Sequence, residues 1–264
     1  MNTATYAVRD SVTMLRRNLK HMARYPSQTL MLIGLPLLFL LLFVYVFGGT
    51  MGAGLPGDPA GDRGNYLTFI TPGILVMAVA SVSISTAVSV ATDMTAGIID
   101  RFRTMAIAKV SVLTGHVLGA MVQTALALAT VLGVAFLLGL ETAASAMQWL
   151  GLIGLLALLS FAMTWFTVAL GLASPNPETA SNWPMIFIML PFVGSGFVPV
   201  ESMPTGLRWF AEYQPFTPIM DAFRSLLAGS PDGPYVLRAI GWCVVIGLVG
   251  YLWSRRLYRI RAAN

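Results

Sequence analysis

The chain is poor in groups that can do covalent chemistry. Its lysines are Lys20 and Lys109 alone, and neither sits in the G-x-x-x-x-G-K-[ST] run that cradles nucleotide phosphates. His21 and His116 stand apart, in no spacing that suits a metal. The sequence holds no G-x-S-x-G elbow for an acyl nucleophile. Cys243 is the single cysteine and lies inside an apolar run. It has no intrachain disulfide partner, and its expected role is that of a small buried hydrophobe. Carboxylates deep in apolar runs mark ion or proton relays. Here Asp93 and Asp100 follow such a run, while Glu141, Glu178, Glu201 and Glu212 lie in or beside connections. Uphill transport by such a chain is expected to draw its energy from another subunit.

Two segments carry side chains in combinations that ask for a purpose. The first, Asp93 to Lys109, mixes Asp100, Arg101 and Arg103 with Ile98, Ile99, Phe102, Met105 and Ile107. A solvated loop needs few large apolar groups. A docking element uses them to fill a partner's pocket while charges fix the register. The same pattern also suits an extension that packs on its own neighbours. The second segment runs from Phe197 to Gly229. Pro204 opens a short amphipathic helix over 207–213, Gln214-Pro-Phe-Thr-Pro218 breaks it, and a helix over 219–228 stops at Gly229. Both are too short to span a bilayer and too apolar to float free, so they are expected to dip into its outer leaflet. Arg208 and Trp209 fall on the first helix. Asp221 and Arg224, three apart on the second, can pair.

The elements around these segments belong to a membrane. Of 264 residues 56% are hydrophobic and only 10% charged, against about 25% charged in soluble domains. The formal net charge of +5 sits beside apolar spans, which points to an anionic membrane surface rather than to nucleic acid. A crossing helix needs about 20 apolar residues. Six windows qualify: Gln28–Phe47, Tyr66–Thr92, Thr114–Leu140, Met147–Ala173, Asn182–Val200 and Tyr235–Trp253. The fifth holds Pro184, Pro191, Pro199 and Gly194-Ser195-Gly196. A bent or broken helix is expected there, buried against protein or a water-filled cavity. The first window follows a long charged stretch and reads as a retained span, not a cleaved signal.

Lysine and arginine set the orientation. Arg9, Arg16, Arg17, Lys20, Arg24, Arg101, Arg103, Lys109, Arg255, Arg256, Arg259 and Arg261 share one side. Arg63, Arg208, Arg224 and Arg238 share the other. Both termini are therefore expected in the cytoplasm, with the loop at Pro175–Glu178 a weak dissent. Val8, Val12, Leu15, Leu19 and Met22 share a helical face flanked by the first basic group, an interfacial amphipathic helix. Gly48–Gly64 reads as a flexible external turn. No repeat or low-complexity linker divides the chain, so one domain over 1–264 is expected.

The run Gly97-Ile-Ile-Asp-Arg-Phe-Arg-Thr-Met105, with Leu113-Thr-Gly115, resembles the coupling segment of type-2 ABC exporter permeases, most closely the daunorubicin-resistance branch. The stretch Gly196–Gly229, with Pro199-x-x-x-Met203-Pro204, Leu207-Arg-Trp-Phe-Ala-Glu212, Gln214-Pro-Phe-Thr-Pro218 and Ala222-Phe-Arg-Ser-Leu-Leu227, resembles that branch's C-terminal signature. Ala106 departs from the pattern, which often has proline there. The resemblance implies an all-α integral membrane protein of six transmembrane helices, with an N-terminal interfacial helix and two re-entrant external helices before the sixth span. It implies two separate ATP-binding-cassette subunits carrying ATP and Mg, no cofactor on this chain, and a second permease chain. Asp100, Arg101, Phe102, Arg103, Met105 and Lys109 become the coupling candidates. A pathway along the first, second and fifth spans makes Ser81, Ser85 and Ser89, at i, i+4 and i+8, candidate lining residues. Met185, Met189, Phe192 and Ser195 join them from the fifth span. Small hydroxyls at that spacing also simply pack helices. The cargo expected is a lipophilic compound, with a glycan or lipid-linked polymer as the rival. A lipid-modifying enzyme or a non-transporting sensor subunit would be rivals of another kind.

Overall fold

The computed structural model describes residues 26–54, 62–96 and 109–261, together with Arg16, Lys20, Met22 and Arg24 ahead of them. The side chains of residues 28, 109–112 and 261 are not among those described. Every regular element among the described residues is helical. Helix α1 (Pro26–Leu42) runs into a π-helical turn, Phe43–Phe47, and then α2 (Gly48–Gly52). The long helices α3 (Arg63–Thr95), α4 (Lys109–Leu137) and α5 (Ala146–Ala173) follow. A broken segment comes next: α6 (Pro177–Asn182), a 3-10 turn at Trp183–Met185, α7 (Ile186–Met189) and a second 3-10 turn at Leu190–Val193. After it come α8 (Thr205–Tyr213), α9 (Phe216–Leu227) and α10 (Gly233–Arg261).

Five helical stretches are long and apolar enough to cross a membrane: Thr29–Gly52, Arg63–Thr95, Leu113–Leu137, Ala146–Ala173 and Gly233–Ile260. They coincide with five of the six windows read from the sequence. The broken segment, the remaining window, is not among them. Its prolines explain the fragmentation, since Pro184 and Pro191 each sit at the start of a 3-10 turn. Proline offers no N–H to the turn before it, so the helix must restart. The expected turn at Gly48–Gly64 begins later than the sequence suggests. Gly48–Gly52 stays helical, and Gly48 lies close to the Arg63 side chain, where a Cβ would meet Cγ at 3.3 Å.

Helix starts follow local chemistry. The Asp62 carboxylate accepts from the Gly64 N–H at 3.2 Å and begins α3. Ser145 and Gln148 form a reciprocal capping box on α5. The helix read at 219–228 begins earlier, at Phe216. Pro218 falls in its first turn, where backbone N–H groups have no intrahelical acceptor, so the Gln214-Pro-Phe-Thr-Pro218 run starts α9 rather than merely breaking α8. The stop at Gly229 is as read, with φ of +74°.

α3 is the central helix. It packs against α1, α4, α5, α6 and α9, and 78% of its most apolar window is buried inside the chain. Lipid tails are as apolar as leucine, so burial alone does not drive these helices together; close approach and van der Waals contact do. Glycines mark the approaches. A Cβ on Gly171 of α5 would lie 3.1 Å from the Ala87 Cα of α3, and one on Gly250 of α10 would lie 2.5 Å from the Phe166 nitrogen. Several buried hydroxyls return to their own helices, as when Thr71 donates to the Leu67 carbonyl at 2.7 Å and Thr164 to the Ser160 carbonyl at 2.6 Å. That satisfies them without water.

Candidate functional site

Where the broken segment ends, its backbone carbonyls are left without helical donors. In a membrane such groups must find partners within the protein. The structure supplies them from α9 and α3. Arg224 of α9 donates through Nη2 to the Ser195 carbonyl at 2.6 Å and to the Phe69 carbonyl of α3 at 3.2 Å. Its Nη1 donates to Asp221 Oδ1 at 2.5 Å. The Ser195 hydroxyl donates to the same Asp221 oxygen at 2.7 Å. The guanidinium lies over the Phe69 ring, 4.2 Å from its centroid. Beside this group, the Tyr66 hydroxyl donates to the Phe197 carbonyl at 3.3 Å, and Gln214 Nε2 donates to the Leu190 carbonyl at 3.1 Å. Three elements distant in sequence are thereby clasped together.

Glycine makes the clasp possible. A Cβ on Gly73 of α3 would lie 2.8 Å from the Gly196 carbonyl oxygen. A Cβ on Gly194 would overlap the Gln214 amide and lie 2.8 Å from Thr217 Oγ1. The far end of α9 is tied as well. The Leu227 carbonyl accepts from the Thr142 hydroxyl at 2.7 Å, and the Gly229 carbonyl accepts from Gln148 Nε2 at 2.8 Å.

An aromatic cluster covers the broken segment on its α1 side. Phe192 stacks on Phe197 at 4.4 Å between centroids and meets Phe39 edge-on at 5.4 Å. Phe43 lies 4.7 Å from Phe197. The sequence reading missed this cluster. Its signal was the Phe39, Phe43, Phe47 stripe at i, i+4, i+8.

The sequence candidates fall unevenly on this geometry. Ser195, Asp221 and Arg224 come together, although Ser195 was read as lining a pathway and the other two as an external pair. Ser81 is 4% exposed and donates to the Met77 carbonyl at 2.9 Å. Ser85 is half-buried and Ser89 exposed, so the stripe passes from core to surface. Met185 and Met189 are exposed with Trp183 and Ile186 on the outward face of the broken segment. Arg208 pairs with Glu212 at 2.7 Å on exposed α8. That hydrogen bond and the Glu212 charge raise the guanidinium's pKa above its ordinary value. Trp209 is exposed and lies 5.3 Å from the Tyr213 ring. Asp100, Arg101, Phe102, Arg103 and Met105 lie outside the described residues. Lys109 opens α4, but its side chain also lies outside them. Of the residues expected to form an N-terminal amphipathic helix, Arg16, Lys20 and Arg24 are helical and exposed and Met22 is helical and half-buried. Arg9, Arg17, Val8, Val12, Leu15 and Leu19 lie outside the described residues.

A second polar contact, unforeseen from sequence, joins the ends of α3 and α4. His116 Nε2 lies 3.1 Å from Asp93 Oδ2, with side chains 10% and 9% exposed. With the carboxylate as acceptor, the ring nitrogen is the donor. The two residues bracket the 97–108 connection. His116→Leu leaves Asp93 one donor short, and a loss of about 1–3 kcal/mol is expected, measured as a lower thermal midpoint in detergent. Thr92→Val, which removes an exposed hydroxyl bonded to its own helix at Val88, should leave the midpoint unchanged.

The sequence matches the ABC-2 type transporter family over residues 10–228. The chain belongs to that family. It is also 32% identical over 264 residues to the daunorubicin resistance ABC transporter permease protein DrrB1 of Streptomyces coeruleorubidus, covering 98% of this chain and 89% of that one. An ABC-2 permease is the transmembrane subunit of its transporter and works with an ABC ATPase subunit. The clasp and the Asp93–His116 pair are therefore features of a permease, and the chemistry expected of them is mechanical rather than covalent.

Proposed function

We propose that this permease exports a lipophilic compound, drawing on ATP hydrolysed by separate subunits. The observation that carries the reading is the near full-length likeness to a daunorubicin resistance permease. In this reading 1–264 is one transmembrane domain. The broken segment counts as the fifth of six crossings, and both termini lie in the cytoplasm of a cell-membrane protein. α8 and α9 are the re-entrant pair on the outer side. The exposed Trp209 and Tyr213 of α8 suit the interfacial belt where amphipathic rings settle.

A second permease chain, identical in the simplest case, meets the outward face formed by Trp183, Met185, Ile186 and Met189. A shared pathway would bring Ser85, Ser89, Met185, Met189 and Phe192 toward the cargo. Methionine and aromatic side chains suit varied apolar ligands because they repack easily. Ser81 and Ser195, whose hydroxyls are already engaged, would act by holding the frame.

Two ATPase subunits, binding ATP and Mg, would dock on the 97–108 connections. Asp100, Arg101, Phe102, Arg103, Met105 and Lys109 would form the contact. The Asp93–His116 pair would hold the base of each connection, so that a push moves α3 and α4 together. To turn a 1:99 equilibrium into 99:1, nucleotide must favour the outward state by about 5.5 kcal/mol.

The test is ATPase activity in lipid of the permease co-expressed with its ATP-binding subunit, against the double swap Asp100→Arg/Arg103→Glu. Loss of the complex, or hydrolysis that no longer responds to the permease, is expected. An ATPase that never associates, with the swap changing nothing, would remove the coupling assignment.

A further inference from the structure

The last turns of α10 carry a stripe that export does not use. Leu252, Arg255, Arg256, Arg259 and Ile260 follow at i, i+3, i+4, i+7 and i+8, so they share one helical face. They line an open groove of about 500 Å³ on the surface of α10. All three arginines are exposed. None makes an ion pair with a described carboxylate. Three uncompensated guanidinium groups within two turns repel one another, and an anion between them relieves that repulsion.

The same face continues into the apolar part of the helix. Val245, Leu248, Val249 and Leu252 are 50%, 56%, 49% and 59% exposed, again at i, i+3, i+4 and i+7. α10 packs principally on α5, with α9 the other long contact, and only 17% of its apolar window is buried. On a single chain it is an outer helix, and in a membrane that face would meet lipid. An apolar track ending in a basic groove has the shape of one class of molecule, an anionic phospholipid. Acyl chains would lie along Val245, Leu248 and Leu252, with the phosphate between Arg255, Arg256 and Arg259. Guanidinium groups suit that phosphate because they donate to it in pairs. A free phosphate or an acidic protein surface would use the arginines but leave the apolar track unused.

We propose that this groove is a binding site for a single anionic phospholipid, retained at the arginine end of α10. The proposal rests on the membrane placement of α10 and not on what the permease carries, so it survives or fails independently of the coupling test.

The experiment is native mass spectrometry of the full-length chain in mild detergent, titrated with phosphatidylglycerol or phosphatidylcholine. Wild type should retain phosphatidylglycerol at unit stoichiometry and prefer it over phosphatidylcholine. The variant Arg255→Gln/Arg256→Gln/Arg259→Gln should bind phosphatidylglycerol more weakly by roughly fivefold per arginine, on the order of a hundredfold in all. The charge-matched control Arg63→Gln/Arg208→Gln/Arg238→Gln, on the opposite side of the apolar spans, should bind as wild type. Leu248→Ser/Leu252→Ser should also weaken phosphatidylglycerol, which a site for phosphate alone would not show. Equal losses in both triple variants would overturn the proposal in favour of diffuse surface charge. Displacement of the lipid by millimolar inorganic phosphate would overturn it in favour of an anion site. Unchanged phosphatidylglycerol binding by the α10 arginine variant would overturn it outright.

Discussion

Arg224→Ala is expected to lower the stability of the permease by about 3 kcal/mol, the low end of the cost of stripping a buried carboxylate of its cation, because the two side chains are 24% and 21% exposed. The thermal midpoint, read by size-exclusion chromatography after heating, should fall on the order of 10 °C. Arg224 does two jobs that a second variant separates. It neutralises Asp221, and it donates to the Ser195 and Phe69 carbonyls. In Arg224→Met/Asp221→Leu the orphaned charge is gone but the carbonyls remain without their donor. Partial recovery is therefore expected, and the remaining deficit measures what the carbonyl contacts contribute. An Arg224→Ala chain that melts with wild type would show that the clasp holds nothing together.

Gly73→Val should do comparable damage by a different route. Its side chain would enter space held by the Gly196 backbone, where even a Cβ falls 2.8 Å from the carbonyl oxygen. A backbone oxygen cannot rotate aside, so α3 and the broken segment must separate. Overpacking usually costs about 1–3 kcal/mol, and the rigidity of this contact places the expected loss at the upper end or beyond. Transport by the assembled complex should fall with it. Gly154→Ala, with nothing within 4 Å of the added Cβ, is the matched control and should be silent in both assays. A Gly73→Val permease with normal stability and transport would mean that this approach is not needed.

How far the sequence could be read depended on the range of the interaction. Five helices long and apolar enough to cross a membrane emerged with ends within about seven residues of those read, because a run of apolar side chains is a local property that lipid alone enforces. The pairing of Asp221 with Arg224 was legible for the same reason, since three residues on a helix are neighbours whatever surrounds them. The fracture of the segment after α5 was visible in Pro184, Pro191 and Gly194. The partners that mend it were not. Ser195 reaches Asp221, and Arg224 reaches Phe69, only once helix rotations and crossings are fixed. α3 is apolar on nearly every side, so its sequence does not reveal which face meets which neighbour. The Asp93–His116 contact was hidden likewise, each residue having been read alone at the end of its own helix. The serine stripe shows the limit of periodicity. Ser81, Ser85 and Ser89 do share a face, yet Ser81 lies in the core of the chain and Ser89 at its surface.

The glycine contacts have a consequence for how such a permease can change over generations. Gly73 against Gly196, Gly171 against Ala87 and Gly250 against Phe166 leave no room for a side chain, so drift at these positions is closed. Trp183, Met185, Ile186 and Met189 carry no such restriction, being exposed on a single chain. Frame and surface are thus separable. What limits substitution on the outward face of the broken segment is whatever meets it, not the packing of the frame behind it.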